Sequence, residues 1–170
     1  MTMYNKGTSI LITDPSRASV CNCDLDGNYK NKANLDSFLQ KPLAICTSTS
    51  DNGDEEIYIY DGRSETVFVY NCEFKLMKSI GDNLESVFDI SVDCERNILY
   101  CSHDEYDEYD VVNLHKIQLN EWFYPHSLHL SSDSNIYTLA YELDKSKSWS
   151  ENRFLFIIDS KNHKIKQKIK

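Results

Sequence analysis

The stretch from Phe88 to Ser102, FDISVDCERNILYCS, decides the fold of this chain. Apolar and polar residues alternate from Phe88 to Asp93, a polar segment occupies 94–97, and a second run rich in β-forming residues begins at Ile98. Alternation with a period of two is typical of a half-buried strand. Two such runs joined by a short polar turn predict an antiparallel β-hairpin.

The same pattern returns along the chain. Runs that resemble the second strand of this hairpin begin at Ile10 (ILITD), Ile57 (IYIYD) and Ile136 (IYTLA), so the repeat is about 40 residues long. Each run is followed by a third β-like run, and two units show a fourth, at 76–80 and 165–169. Four antiparallel strands in about 40 residues are typical of a propeller blade.

The sequence therefore predicts an all-β, propeller-like array of four-stranded antiparallel blades that is incomplete or open. We expect a single domain of four units, the first of them partial, at approximately 10–41, 42–83, 84–124 and 125–170. An array that stops before it closes leaves an apolar blade face and a strand edge at each end. These ends predict self-association, and the chain is interpreted as a fragment or as half of an oligomer.

Several short motifs resemble the NHL-repeat β-propeller family. They are KPLAI (41–45), IYIYD (57–61), ISVD (90–93), NILY (97–100), YPHSL (124–128), NIY (135–137) and ILITDPS (10–16). The chain departs from the family pattern at its glycines, because Ala44 and Ser127 stand near the position after proline, and Arg96 and Ser134 stand in the turns. The resemblance implies a non-enzymatic interaction module that binds a protein partner through the loops of a propeller rim.

Relatives of this fold also include enzymes, and this alternative stays open. A lactonase-like or lyase-like propeller holds a divalent metal in its central channel, and a fragment of such an enzyme would supply acidic or histidine ligands from several blades. Asp89, Asp93 and His129 are the candidates here, and His126 begins the same predicted strand as His129. No paired histidine spacing, phosphate-binding glycine loop or nucleophile motif is present, so we predict no catalytic residue, no metal site and no cofactor.

Composition limits the class of partner. The chain has 170 residues, with 18 Lys and Arg against 27 Asp and Glu, and its net charge is −9. This charge disfavours nucleic acid and anionic membrane surfaces, so RNA binding is the weakest hypothesis. The sequence shows no secretory signal and no transmembrane segment, which predicts a cytoplasmic protein with reduced cysteines.

The predicted partner-binding residues lie in two polar segments. The first holds five carboxylates and two tyrosines within 104–110, and we assign to the site Asp104, Glu105, Tyr106, Asp107, Glu108 and Tyr109. Clustered carboxylates accept a cation or a basic partner, and tyrosine is enriched at interfaces. The second is the predicted loop 142–152, in which Trp149 is a candidate anchor. The alternative for both segments is a solvated loop without a partner.

Overall fold

Antiparallel strands account for most of the chain that the computed structural model describes, namely residues 1–33, 35, 38–49, 52–81, 83–93, 98–103, 123–143, 149–162 and 164–170. Three four-stranded sheets and one sheet with two described strands follow each other along the chain. In each sheet the strands are hydrogen-bonded in sequence order. The structure thus shows the all-β, open, propeller-like architecture that the sequence predicts.

The first two sheets contain eight strands. The first sheet comprises β1 (Thr2–Tyr4), β2 (Ser9–Asp14), β3 (Ser19–Cys23) and β4 (Tyr29–Lys32), and the second comprises β5 (Pro42–Thr49), β6 (Glu55–Asp61), β7 (Thr66–Asn71) and β8 (Leu76–Ile80).

The third sheet contains the hairpin predicted over 88–102, and the fourth sheet contains its repeat. The third has β9 (Val87–Asp93) and β10 (Ile98–His103), and the fourth has β11 (Phe123–Leu130), β12 (Asn135–Leu143), β13 (Trp149–Asp159) and β14 (Ile165–Ile169). The predicted hairpin is confirmed, because Ile98 pairs with Asp93 and Cys101 pairs with Ile90.

The hydrophobic core lies between successive sheets, as the alternating pattern requires. Leu11 and Val20 of the first sheet pack with Ile57 and Ile59 of the second. The opposite face of the second sheet packs on the third through a further cluster, which consists of Ala44, Tyr58, Tyr60, Val67, Val69, Leu84, Val87, Ile90 and Leu99. Tyr100 of the third sheet then joins a cluster formed by the fourth. A sheet with two apolar faces is stable only when both are covered, so the sheets stack.

The first strands of the sheets lie next to one another. Contacts join β1 to β5, β5 to β9 and β9 to β11, in chain order. A side chain reinforces the contact of β1 with β5, since the Thr47 hydroxyl donates to the Met3 carbonyl at 2.7 Å. The Thr13 hydroxyl of β2 also donates to the Leu43 carbonyl of β5, at 3.1 Å. The first strands therefore face a shared axis, and the later strands of each sheet lie farther from it.

Some predicted boundaries differ from the structure. The fourth strands predicted at 76–80 and 165–169 are present as β8 and β14. The first sheet has two strands that the pattern did not indicate, β1 and β4, because three- and four-residue edge strands give no readable alternation. The helical turn Pro15–Arg17 is the only helix in the described ranges, and no helix there is long enough to cross a membrane.

Candidate functional site

One rim of the array collects the ends of all four second strands. β2 ends at Asp14, β6 at Asp61, β10 at His103 and β12 at Leu143. Because neighbouring strands are antiparallel, the first residues of the first and third strands lie at the same rim. We call it the second-strand rim.

Asp61 organises this rim in the second sheet, where its side chain is fully buried. One carboxylate oxygen accepts the N–H groups of Gln40 (2.7 Å) and Lys41 (2.5 Å), and the other accepts those of Arg63 and Ser64 (both 3.0 Å). Burial raises the pKa of Asp61, but the four backbone donors together hold it below its ordinary value. Asp61 thus joins the segment that enters β5 to the turn before β7, which is a structural role.

A row of rings crosses the same rim between the third and fourth sheets. The ring of Phe88 in β9 stacks on that of His126 in β11, with centroids 5.7 Å apart. His126 meets the edge of Tyr141 in β12 at 5.5 Å, and the guanidinium carbon of Arg153 in β13 lies 5.3 Å from the centroid of Tyr141. We call Phe88, His126, Tyr141 and Arg153 the aromatic ladder.

A β-bulge places His126 in the ladder. Pro125 pairs with Ala140 and Ser127 with Leu139, so His126 is the extra residue between two consecutive pairs. A bulge bends its strand and turns a side chain away from the regular alternation, and proline favours such a site because it lacks an N–H for the ladder. His126 is exposed, and Phe88 retains 40% of its accessible surface. The ladder is therefore accessible to a binding partner.

Side chains of β9 hold β11 against it near the shared axis. The carboxylate of Asp89 accepts two backbone N–H groups, that of Leu128 at 2.9 Å and that of Ile90 at 3.0 Å. The Ser91 hydroxyl accepts the N–H of Leu130 at 3.2 Å. Two side chains on one face of β9 thus bond to two amides of the next first strand, which joins the third sheet to the fourth.

Burial dominates the titration of Asp89. It raises the pKa of this carboxyl above the ordinary value, although the two backbone donors, the N-terminal ammonium and His126 all favour the ionised form. Burial also raises the pKa of the nearby Cys101 thiol to about 12, and the charge of Asp89 adds to this effect. Cys101 is therefore protonated at neutral pH, which makes it a poor nucleophile.

The partner-binding role of the predicted residues remains a prediction. Asp104, Glu105, Tyr106, Asp107, Glu108 and Tyr109 lie outside the described residues. Trp149 is not in a loop, because it is the first residue of β13 and pairs with Leu143. The prediction of a loop over 142–152 was wrong at both ends, since polar residues such as Glu142 and Asn152 continue the strands; their side chains hydrogen-bond to each other at 2.9 Å. Trp149 lies at the second-strand rim.

The described residues contain no cluster of side chains that supports the metal hypothesis. Asp89 is occupied by two backbone amides, Asp93 ends β9, and His129 is an exposed residue of β11 that pairs with Tyr137. Within the described ranges no group of three or more His, Cys, Asp or Glu side chains is close enough to hold a metal ion.

The ladder was missed by sequence reasoning. Its four members lie on four strands of two sheets and are far apart in sequence, so no local motif contains them. The one available signal was the proline before His126, because a proline within a strand indicates a bulge or an edge.

No protein-family model and no curated protein sequence matches the chain. Solved structures do match. Hydrazine synthase of Kuenenia stuttgartiensis superposes with a TM-score of 0.65 and 17% identity over 98% of this chain and 47% of that chain. The dihydro-heme d1 dehydrogenase NirN gives a TM-score of 0.58 and 12% identity over 98% of this chain and 36% of its own.

A virginiamycin B lyase from Staphylococcus aureus gives a TM-score of 0.54 and 12% identity over 99% of this chain and 68% of its own. This chain spans about half the length of the hydrazine synthase chain. Identities this low show the fold and not the activity. The sheets, their shared axis and these neighbours together show that the chain has a β-propeller-like fold.

Proposed function

We propose that this chain is a non-enzymatic interaction module of the NHL-repeat type, and that it binds a protein partner at the second-strand rim. The observation that carries the proposal is the aromatic ladder, in which Phe88, His126 and Arg153 are exposed and Tyr141 is half-buried. Exposed aromatic side chains and arginine are the residues that contribute most to protein interfaces.

Charge indicates the chemistry of the partner. The net charge of the chain is −9, and the acidic segment 104–110 begins directly after His103, where β10 ends at this rim. Arginine side chains pair with carboxylates and also stack on aromatic rings. An arginine-rich protein segment would therefore suit both the ladder and the acidic segment.

The state of the cysteines supports the cytoplasmic location that we propose. In the described ranges Cys21, Cys23, Cys72 and Cys101 are free thiols, as in a reducing compartment. The acidic net charge opposes nucleic acid.

The test measures the affinity of a fluorescently labelled, arginine-rich peptide by fluorescence anisotropy at physiological salt. We expect Phe88→Ala and His126→Ala each to weaken binding by about tenfold or more, which is the effect of losing an interface hot spot. Neither substitution changes the formal charge, so a purely electrostatic attraction would be unaffected. Met77→Ala is the control, because Met77 is 54% exposed and lies on β8, away from the ladder.

Equal affinity for the wild type and both ladder variants would contradict the proposal. Tighter binding of single-stranded RNA, with a steep dependence on salt, would favour the RNA hypothesis instead. Stoichiometric binding of calcium or zinc in a calorimetric titration would favour the propeller enzyme.

A further inference from the structure

Three of the sheets carry a β-bulge at the same place, where the first strand begins at the second-strand rim. Two consecutive pairs of β5 with β6 skip Leu43, two of β9 with β10 skip Phe88, and two of β11 with β12 skip His126. A bulge turns its extra side chain away from the regular alternation, and bulges are frequent beside functional sites. We call Leu43, Phe88 and His126 the bulge row.

The side chains of the bulge row reach solvent although the residues beside them in the chain are in the core. Leu43 is 36% exposed and lies between Pro42 and Ala44, which are both buried. Phe88 is 40% exposed and follows the buried Val87. The exposure of these two apolar side chains is therefore a result of the bulges.

Core packing places Leu43 beside Phe88. β5 and β9 are neighbouring first strands, and Ala44 packs in one core cluster with Val87. Ala44 and Val87 are the chain neighbours of the two bulged residues, so both side chains leave the core at adjoining points of the rim. Phe88 in turn stacks on His126, with centroids 5.7 Å apart. Leu43 therefore continues the aromatic ladder into the second sheet.

Hydrogen bonds fix the backbone on both sides of Leu43. Asp61 accepts the N–H of Lys41, and the Lys41 carbonyl accepts the N–H of Gly62 at 2.9 Å. The Leu43 carbonyl accepts the Thr13 hydroxyl at 3.1 Å. A contact residue that is already held in place loses little conformational freedom when a partner binds, which favours affinity.

Gly62 leaves the space that the Leu43 side chain occupies. A Cβ atom at position 62 would lie 2.3 Å from Leu43 Cδ1, closer than a packing contact allows. Gly62 does not have a positive φ, so the turn itself does not require glycine. The missing side chain therefore serves the position of Leu43.

We infer that Leu43 is a specificity position, which receives a large apolar side chain of the same protein segment whose arginine lies on the aromatic ladder. The inference rests on the proposed function, because it adds a contact at the same rim. Burial of an aliphatic side chain against another apolar one is favourable, whereas burial of an unpaired charge against it is costly.

Charge near Leu43 also favours a neutral side chain there over an arginine. The turn beside it offers exposed cations, Lys41 and Arg63, whereas Asp61 is buried with four N–H donors and Glu65 is half-buried. The acidic segment 104–110 follows β10 in the third sheet. A segment with both kinds of side chain therefore aligns with its apolar residue at the second sheet and its arginine at the third and fourth.

The distance between sheets gives the spacing of the two side chains in the partner. Sheets that stack face to face lie about 10 Å apart, which an extended chain spans in about three residues of 3.3 Å each. The apolar residue is therefore about three positions from the arginine that lies on Phe88.

The test compares two fluorescently labelled peptides by anisotropy. Both carry the same pair of arginines, and one has a leucine three positions away where the other has an alanine; each is made with this residue before and after the arginines. We expect the wild type to bind the leucine peptide about fivefold more tightly than the alanine peptide in one of the two orders. Leu43→Ala should abolish this preference and leave the affinity for the alanine peptide unchanged.

Two further variants isolate the position of the leucine side chain. Gly62→Ala retains Leu43 but forces its side chain aside, so it should also reduce the preference for the leucine peptide. Leu25→Ala is the matched control, because Leu25 is 56% exposed in the turn between β3 and β4, at the opposite rim. Circular dichroism of each variant shows that it is folded.

A preference for leucine that persists in Leu43→Ala or in Gly62→Ala would overturn the inference, as would its absence from the wild type in both orders. The proposed function would still stand if Phe88→Ala and His126→Ala weaken binding of the alanine peptide. If those two variants bind this peptide as the wild type does, the proposed function fails, and the role of Leu43 fails with it.

Discussion

Asp61 and Asp89 show how the same residue type has opposite electrostatic behaviour at two places in one fold. Both carboxylates accept backbone N–H groups, but Asp61 accepts four and Asp89 two. Burial raises the pKa of each, and only in Asp61 do the donors outweigh it. The balance between burial and the backbone donors therefore decides the direction of the shift in pKa.

We expect Asp61→Ala to lower the free energy of unfolding by about 3 kcal/mol at pH 7, because four backbone N–H groups lose a buried, charged acceptor. The folded pKa of Asp61 is lowered, so its contribution is present above the unfolded pKa of about 3.9 and is lost as the pH falls through the folded value. Urea unfolding at pH 7 and pH 3 measures both effects.

Asp14 provides the control for this change. It ends β2 as Asp61 ends β6, but its carboxylate is partly exposed and accepts two backbone N–H groups, those of Ser16 and Arg17, besides the Ser16 hydroxyl and the Arg17 guanidinium. Asp14→Ala should therefore have a smaller effect, and equal losses from the two substitutions would contradict the role assigned to Asp61.

At the scale of elements, the pairing of first strands across sheets depends on polar side chains rather than on a shared β-ladder. β9 and β11 belong to different sheets, yet Asp89 and Ser91 of β9 bond to amides of β11. Asp89 is ionisable and Ser91 is neutral, so only the hydrogen bonds of Asp89 depend on pH.

Asp89→Asn should stabilise the chain relative to the wild type as the pH rises from 4 to 7. The folded pKa of Asp89 is raised, so its favourable contribution is fully present below the unfolded value and is lost as the pH rises through the folded one. The neutral amide has no such loss. Unfolding free energies measured across this pH range test the sign.

Ser91→Ala is the matched change on the same face of β9. It removes the bond to the Leu130 amide at a cost of about 1 kcal/mol, and this cost should not depend on pH. A parallel pH dependence in the two variants would show that Asp89 is not the titrating group.

At the scale of the whole molecule, stability comes from stacking of one sheet on the next, as in other repeat architectures. Tyr100 is 1% exposed and belongs to the third sheet, but it packs in the cluster of the fourth, and its hydroxyl donates to the Ser160 carbonyl at 3.4 Å. Tyr100 therefore couples the last sheet to the rest of the array.

Tyr100→Ala should cost about 3 to 5 kcal/mol and should loosen the fourth sheet first. Hydrogen exchange should accelerate in β12 and β13 while β6 and β7 stay protected. Tyr100→Phe keeps the ring and removes one weak hydrogen bond, so it should behave nearly as the wild type. Equal acceleration in every sheet of Tyr100→Ala would mean that the array unfolds as one unit.

The sequence by itself determined the all-β class, the repeat and most strands, because alternation and turn residues are local signals. It predicted β9, β10, β8 and β14 in their observed positions. It did not indicate β1 and β4, which are too short to alternate, or the start of β13 at Trp149, where polar residues continue the strand. The binding residues predicted at 104–110 remain a prediction.

Only the tertiary structure decided how residues from different repeats meet. The stacking of Phe88 on His126, the Gln40 and Lys41 amides on Asp61 and the seam between β9 and β11 each combine residues 20 or more positions apart. Such contacts depend on the stacking angle of the sheets, which has no local sequence pattern, and on a bulge at His126, which only the preceding proline indicates. Strand formation is a property of neighbours in the chain, whereas the site is a property of neighbours in space.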